Sequence, residues 1–207
     1  MRTDTIMHPT ISTDIMGKMR MTKLINAVIE KNKLKSVLDV GCGHGYFELR
    51  FPNIVTGLDI DKDKLERMKQ KGIRNIRHGN AKKLPFKDGA FDGVILKDVL
   101  EHFYVEDTFK VIDEATRVLK KGGFFIATSI KNTQGFWDAP DHIRPCSNNW
   151  IKRVCIEEFG KYELAMTRDF LPGIPGVGLL HLERLAEIVA KALPFLSTHG
   201  LIVLKKK

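Results

Sequence analysis

Cysteine is scarce in this chain: Cys42, Cys146 and Cys155 are the three among 207 residues. An odd number with no metal-ligand spacing argues against a disulfide framework and a cysteine-held metal, so reduced thiols and no metal site are expected. Long apolar runs are missing as well. Charge interrupts each of them before the roughly 20 residues that a bilayer-spanning helix needs. No basic-then-apolar leader follows Met1, and the expectation is a soluble, cytoplasmic protein with no membrane partner. Internal repeats and low-complexity stretches are also lacking, apart from the Lys205-Lys206-Lys207 tail, which reads as a solvated terminus.

What is present is apolar matter enough for one domain with a substantial core: 43% of the chain is hydrophobic. The formal charge of +9 is unevenly spread. Between Asp61 and Lys87 ten basic residues face three acidic ones, which raises nucleic acid as a partner. No arginine-rich or aromatic-interleaved run accompanies them, so a solvated helix face with its loops is the expectation.

The organising stretch is Val37-Leu38-Asp39-Val40-Gly41-Cys42-Gly43-His44-Gly45-Tyr46-Phe47. A short apolar run carrying an acid and followed by alternating glycines reads as a buried strand emptying into a ligand-binding turn. A helix begun near His44 would point its free N–H groups at the ligand. One strand further on, Ile54 to Asp61 supplies a second apolar run ending in Asp59, placed to accept both hydroxyls of a ribose. A dinucleotide fingerprint would want glycine at 46, where Tyr46 stands, so a pyrophosphate is the less natural ligand.

Leu38 to Gly45 and Gly57-Leu58-Asp59-Ile60-Asp61 resemble the first two motifs of class I S-adenosylmethionine-dependent methyltransferases. The run His78-Gly79-Asn80-Ala81-Lys82-Lys83-Leu84-Pro85-Phe86-Lys87-Asp88-Gly89-Ala90-Phe91-Asp92 resembles a third, from the type 11 branch. The resemblance implies a single α/β domain over 1–207 with a Rossmann-like sheet, mostly parallel with a late antiparallel strand, and helices on both faces. It divides into an N-terminal arm and lid helix (1–31), a cofactor-binding core (36–130) and an acceptor-side region (132–207). It also implies S-adenosylmethionine as cofactor, S-adenosylhomocysteine as product and a small-molecule acceptor.

Within that frame Gly41 and Gly43 would run past the methionyl part, with Cys42 a small filler between them. Asp39 would orient the amino end, Asp59 would bind the ribose, Ile60 would pack on the adenine, and Asn80 with Ala81 would meet its edge. Lys97 would join them at the end of the fourth strand. Arg20 of the lid helix could reach the cofactor carboxylate. Position 80 more often holds Asp in the family; an amide there offers a donor as well as an acceptor.

The remaining chain alternates: strands at 36–40, 54–59, 73–77, 91–97 and 123–130, and helices at 44–50, 62–71 and 105–119. Such alternation predicts a parallel sheet with the ligand at the carboxyl ends of its strands. Residues 1–17 read as irregular, and 18–31 as an amphipathic helix. Lys120-Lys121-Gly122-Gly123 reads as a helix C-cap. The last third predicts a helix near 148–159, a strand near 162–170, a helix over 178–193 and a final strand at 199–204.

Methyl transfer needs a base only when the acceptor arrives protonated. His44, Glu101-His102 and His142 are the candidates, with His142 first because its loop after the fifth strand lies where the family places the acceptor. An Asn/Asp-Pro-Pro-Tyr segment, used for exocyclic amines, is lacking after strand four. Pro145-Cys146 would suit a nucleophilic cysteine attacking a pyrimidine, as in the cytosine-5 branch, but the rest of that branch's pattern is missing. The other classes left open are a nicotinamide oxidoreductase, an RNA methyltransferase using 61–87, and a non-catalytic cofactor-binding partner.

Overall fold

The computed structural model describes residues 11–170 and 197–207; the expected helix at 178–193 and the first ten residues of the arm lie outside them. The elements run α1 (Ile11–Lys31), β1 (Val37–Val40), α2 (Tyr46–Arg50), β2 (Val55–Asp59), α3 (Lys62–Gln70), β3 (Ile76–His78), β4 (Phe91–Leu96), α4 (Val105–Val118) and β5 (Leu119–Ile130). They continue with α5 (Gln134–Trp137), α6 (Asn148–Lys152) and its π-helical extension Arg153–Glu158, β6 (Tyr162–Phe170) and β7 (His199–Lys206).

The seven strands of the described residues form one sheet in the order β3-β2-β1-β4-β5-β7-β6. The first five are parallel, and β7 alone runs antiparallel, inserted between β5 and β6. This is the Rossmann-like arrangement with a late antiparallel strand. β1 sits at its centre and is buried along its whole length, as a strand covered on both faces must be.

Two apolar layers flank the sheet. One packs Val111, Ile112, Ala115 and Val118 of α4 against Leu38, Leu96 and Phe125. The other lays Met21, Ile25, Val28 and Ile29 of α1 over Val37, Ile95, Ile126 and Val203, the stripe that the helical spacing predicts.

Four boundaries differ from expectation. α1 starts at Ile11, so 11–17 are helical rather than irregular. α2 starts at Tyr46 and is five residues long; the glycine turn takes the residues that would have begun it. β3 shifts to Ile76–His78, where it pairs with the end of β2. Finally, α4 ends at Val118 and β5 starts at Leu119, so Lys120-Lys121-Gly122-Gly123 lies within the strand as an irregularity against β4. There Lys120 Nζ pairs with Asp92 Oδ1 at 2.7 Å, tying the irregular start of β5 to β4.

The Lys205-Lys206-Lys207 tail is not merely solvated. Lys206 Nζ donates to the carbonyls of Thr116 (2.7 Å) and Leu119 (2.6 Å), capping the end of α4 from the last strand. Helix-end carbonyls lack intrahelical donors, and a cation also suits the negative end of the helix. Lys206→Ala is expected to cost about 2 kcal/mol, a Tm lowered by roughly 4–8 °C in a chain of this size. Thermal denaturation checks this, and an unchanged Tm would show that the cap contributes nothing.

Candidate active site

The chain leaves β1 through Gly41 (φ 74°), Gly43 (φ 54°) and Gly45 (φ 77°). These left-handed conformations strain residues with a Cβ. At Gly41 a Cβ would stand 2.8 Å from Val99 Cγ2, whereas at Gly43 it would meet nothing nearer than the Gly41 carbonyl at 3.9 Å. The main chain at Gly43 therefore borders open space.

Asp59 joins this turn to the end of β2. Its Oδ2 accepts from the Gly43 N–H at 2.9 Å, and its Oδ1 accepts from the Asp61 N–H at 2.9 Å. Each oxygen keeps a further lone pair. Asp61 in turn caps α3, accepting from the N–H groups of Asp63 and Lys64.

A cavity of ≈ 930 Å³ opens at the carboxyl ends of these strands, within the roughly 300–1,000 Å³ range of small-molecule sites. Asp39, Gly41, Cys42, Gly43, Asp59, Ile60, Asn80, Ala81 and Lys97 all line it. Parallel strands bring these sequence-distant residues together because their carboxyl ends share one edge of the sheet. Sequence reasoning missed Thr22, Tyr46, Lys64, Lys82, Asp98 and Phe103 on the wall. Among the described side chains of α1, Thr22 lines it. Ile60 is 65% exposed there, an apolar side chain offered to the cavity.

The floor is acidic. Burial, then the Glu48 carboxyl, push Asp39 well above the ordinary carboxylate range, with Lys97 acting in the opposite sense. Burial likewise raises Glu48 to about 7; neither of its oxygens has a hydrogen-bond partner. Gly57 makes this possible, since a Cβ there would come within 2.6 Å of Glu48 Oε1. Lys97 Nζ also meets Asp98 Oδ2 at 2.6 Å. Asp98 has φ 55°, a conformation Asp tolerates better than most residues. Thr128 of β5 supports it through both its backbone N–H and its carboxylate. The Asn80 Oδ1 accepts from its own loop at the Lys82 N–H (2.9 Å), so one acceptor position of that amide is already in use.

Beyond β4 a short 3-10 turn, Leu100–His102, meets the loop that follows α5. The Glu101 carbonyl accepts from the N–H groups of Ile143 and Arg144, and His102 Nδ1 lies 2.9 Å from the Asp141 carbonyl. His102 and Asp141 line the cavity and His142 does not. The His142 ring packs on Phe136 at 4.7 Å and against His102 at 5.1 Å. Its Nδ1 lies 2.9 Å from the Phe136 carbonyl. Cys146 is buried beneath this loop with its thiol pushed up to about 11, which disfavours it as a nucleophile.

Fold and cavity together give a Rossmann-like sheet with a cavity of small-molecule size at the carboxyl ends of its parallel strands. Residues 38–127 match the family model described as "Methyltransferase domain", and this stretch is similar to S-adenosylmethionine-dependent methyltransferases. A fatty-acid O-methyltransferase from Mycolicibacterium smegmatis is 36% identical over 107 residues, covering 47% of this chain and 38% of that protein. A demethylmenaquinone methyltransferase from Listeria welshimeri is 36% identical over 115 residues, covering 49% and 48%. Against the first three curated relatives the match spans between 38% and 52% of their length.

Two solved structures share the fold. A SAM-dependent methyltransferase from Archaeoglobus fulgidus superposes with TM-score 0.64 at 22% identity, over 89% of this chain and 94% of that one. The N-methyltransferase NodS from Bradyrhizobium japonicum, solved in complex with S-adenosyl-L-homocysteine, gives TM-score 0.65 at 15% identity, over 91% and 86%.

Proposed function

We propose that the chain binds S-adenosylmethionine in the cavity and transfers its methyl group to a small-molecule acceptor. The observation that carries this is the Asp59 carboxylate, held by Gly43 and Asp61 at the cavity wall beside the exposed Ile60. A ribose diol needs an acceptor pair with lone pairs to spare, and an adenine ring needs an apolar face; both stand at the end of β2.

When bound, S-adenosylmethionine would supply a methyl group on a positively charged sulfur. Asp39 and Lys97 would meet its charged amino-acid end, and Gly41, Cys42 and Gly43 would pass their backbone along the methionyl part. Ala81 and Asn80 would border the adenine; the Asn80 amide NH2 remains its available donor. The protein's task is then to hold donor and acceptor aligned with water excluded, and no nucleophilic side chain is required. Should the acceptor arrive protonated, His142 would act through its contact with His102 rather than from the cavity wall.

The names of the relatives from M. smegmatis and L. welshimeri support a small apolar acceptor over a nucleic acid. Within the basic segment, Lys64 pairs with Asp61 and Lys82 with Asp107 of α4, which offsets part of its charge and agrees with a solvated surface. Titration calorimetry with S-adenosylmethionine, S-adenosylhomocysteine and NAD is the test. Micromolar binding of the first two and none of the third is expected; binding of NAD, or of none of them, would overturn the proposal. Where the cofactor binds, methylation of fatty acids and of quinols in its presence then tests the acceptor class.

A further inference from the structure

The geometry points to a divalent transition-metal site formed by Glu101, His102 and His142, beside the cofactor cavity and on the opposite side of β1 from Asp59. One ligand atom from each of the three lies within 4.8 Å of the others. Metal bonds of about 2.1 Å set two ligand atoms at most ~4.2 Å apart, a difference that side-chain rotation spans. The cluster joins two distant pieces of chain, the turn after β4 and the loop after α5, which the Glu101 carbonyl stitches together through Ile143 and Arg144.

Two further observations give the cluster its character. The Glu101 side chain is 1% exposed, and its Oε1 has no hydrogen-bond partner. A buried polar oxygen left without a donor is costly and calls for a cation or a proton. Independently, both imidazoles are oriented by backbone carbonyls: His102 Nδ1 by Asp141 and His142 Nδ1 by Phe136, each at 2.9 Å. A carbonyl only accepts, so Nδ1 carries the proton, and in each neutral ring Nε2 keeps the lone pair. This is the arrangement by which outer-shell carbonyls prepare histidines for metal. The three side chains thus offer one carboxylate and, through Nε2, two imidazole nitrogens.

One carboxylate and two imidazoles suit Zn2+, Mn2+, Fe2+ or Co2+ better than Mg2+ or Ca2+, which prefer all-oxygen sets. Three protein ligands leave coordination positions for water or for an oxygen of a small molecule in the cavity, which His102 lines. His142 then acts as a ligand in place of the base role considered above. The cysteine spacing gave no hint of such a site, because none of its ligands is a cysteine and His142 lies forty residues from His102.

The test needs neither cofactor nor acceptor. The whole protein, stripped with a chelator and dialysed, is titrated with Zn2+ and Mn2+ by calorimetry, with Mg2+ as contrast, and the bound metal is counted by elemental analysis. One ion per chain, bound at least roughly tenfold more tightly than Mg2+, is expected. Glu101→Gln and His142→Gln should each weaken it at least roughly tenfold, while circular dichroism reports that they remain folded. Absence of binding, a stoichiometry well below one, no preference over Mg2+, or folded variants that bind like the parent would each overturn the assignment. Since the readout is metal binding, failure here leaves the methyltransferase proposal standing, and failure of cofactor binding leaves this one standing.

Discussion

Asp59→Ala is expected to weaken S-adenosylmethionine binding by roughly 100-fold or more, since two hydrogen bonds to a charged acceptor are lost together. The effect has two sources. One is the ribose diol, left without its carboxylate. The other is the turn, because Gly43 and Asp61 lose the oxygens that fix their N–H groups. Asp59→Asn keeps the side chain's size and removes its charge: its single oxygen can hold only one of the two N–H groups, and its NH2 turns a donor toward the other. It should therefore also bind weakly while remaining folded. Calorimetry on the two variants, with thermal denaturation alongside, reads both effects. Affinity within twofold of the parent for both would remove Asp59 from the site.

The second large effect concerns stability and pH. Glu48 is buried, and its charge bears on Asp39 of β1 and on Cys42 of the glycine turn. Its carboxyl is raised from 4.5 to about 7, so the folded state binds a proton that the unfolded state releases between those values. Stability must then fall as pH rises through that window. The cost of the buried anion is absent below the unfolded value and complete above the folded one, about 3 kcal/mol for a shift of this size. Glu48→Gln should therefore stabilise the protein by about that amount at pH 8 and by little at pH 5. Urea unfolding at pH 5, 6, 7 and 8 measures it, and a difference between variant and parent that does not change with pH would refute it.

Much of this site was legible in the chain itself. The glycines after β1, the acid ending β2 and the Asn80-Ala81 pair after β3 are local signals, and parallel strands leave little choice about where their carboxyl ends meet. Helix α1 was legible over 18–31 because Met21, Ile25 and Val28 repeat at helical steps.

What escaped depends on contacts that no local pattern encodes. The left-handed turn at Asp98 is held by Thr128, thirty residues away. The start of β5 at Leu119 reflects its pairing with Phe91, which overrode the glycines that suggested a helix cap. Glu48 looks like an ordinary first-turn acid in sequence and is buried only because Gly57 leaves room for it. His142 was chosen for its loop, but the loop is pinned by Phe136 and presents Asp141 to the cavity instead.

The placement of β7 between β5 and β6 bears on how the molecule is made in a cell. During synthesis β6 emerges from the ribosome before β7, yet among the described strands its partner is β7. Until residues 199–206 are released, β5 presents an unpaired edge rich in Phe, Ile and Ala, and β6 waits beside it without a partner. Such an edge is a template for pairing with other chains. The interval before β7 arrives is thus one in which the nascent chain is prone to aggregate and a chaperone would have an edge to protect.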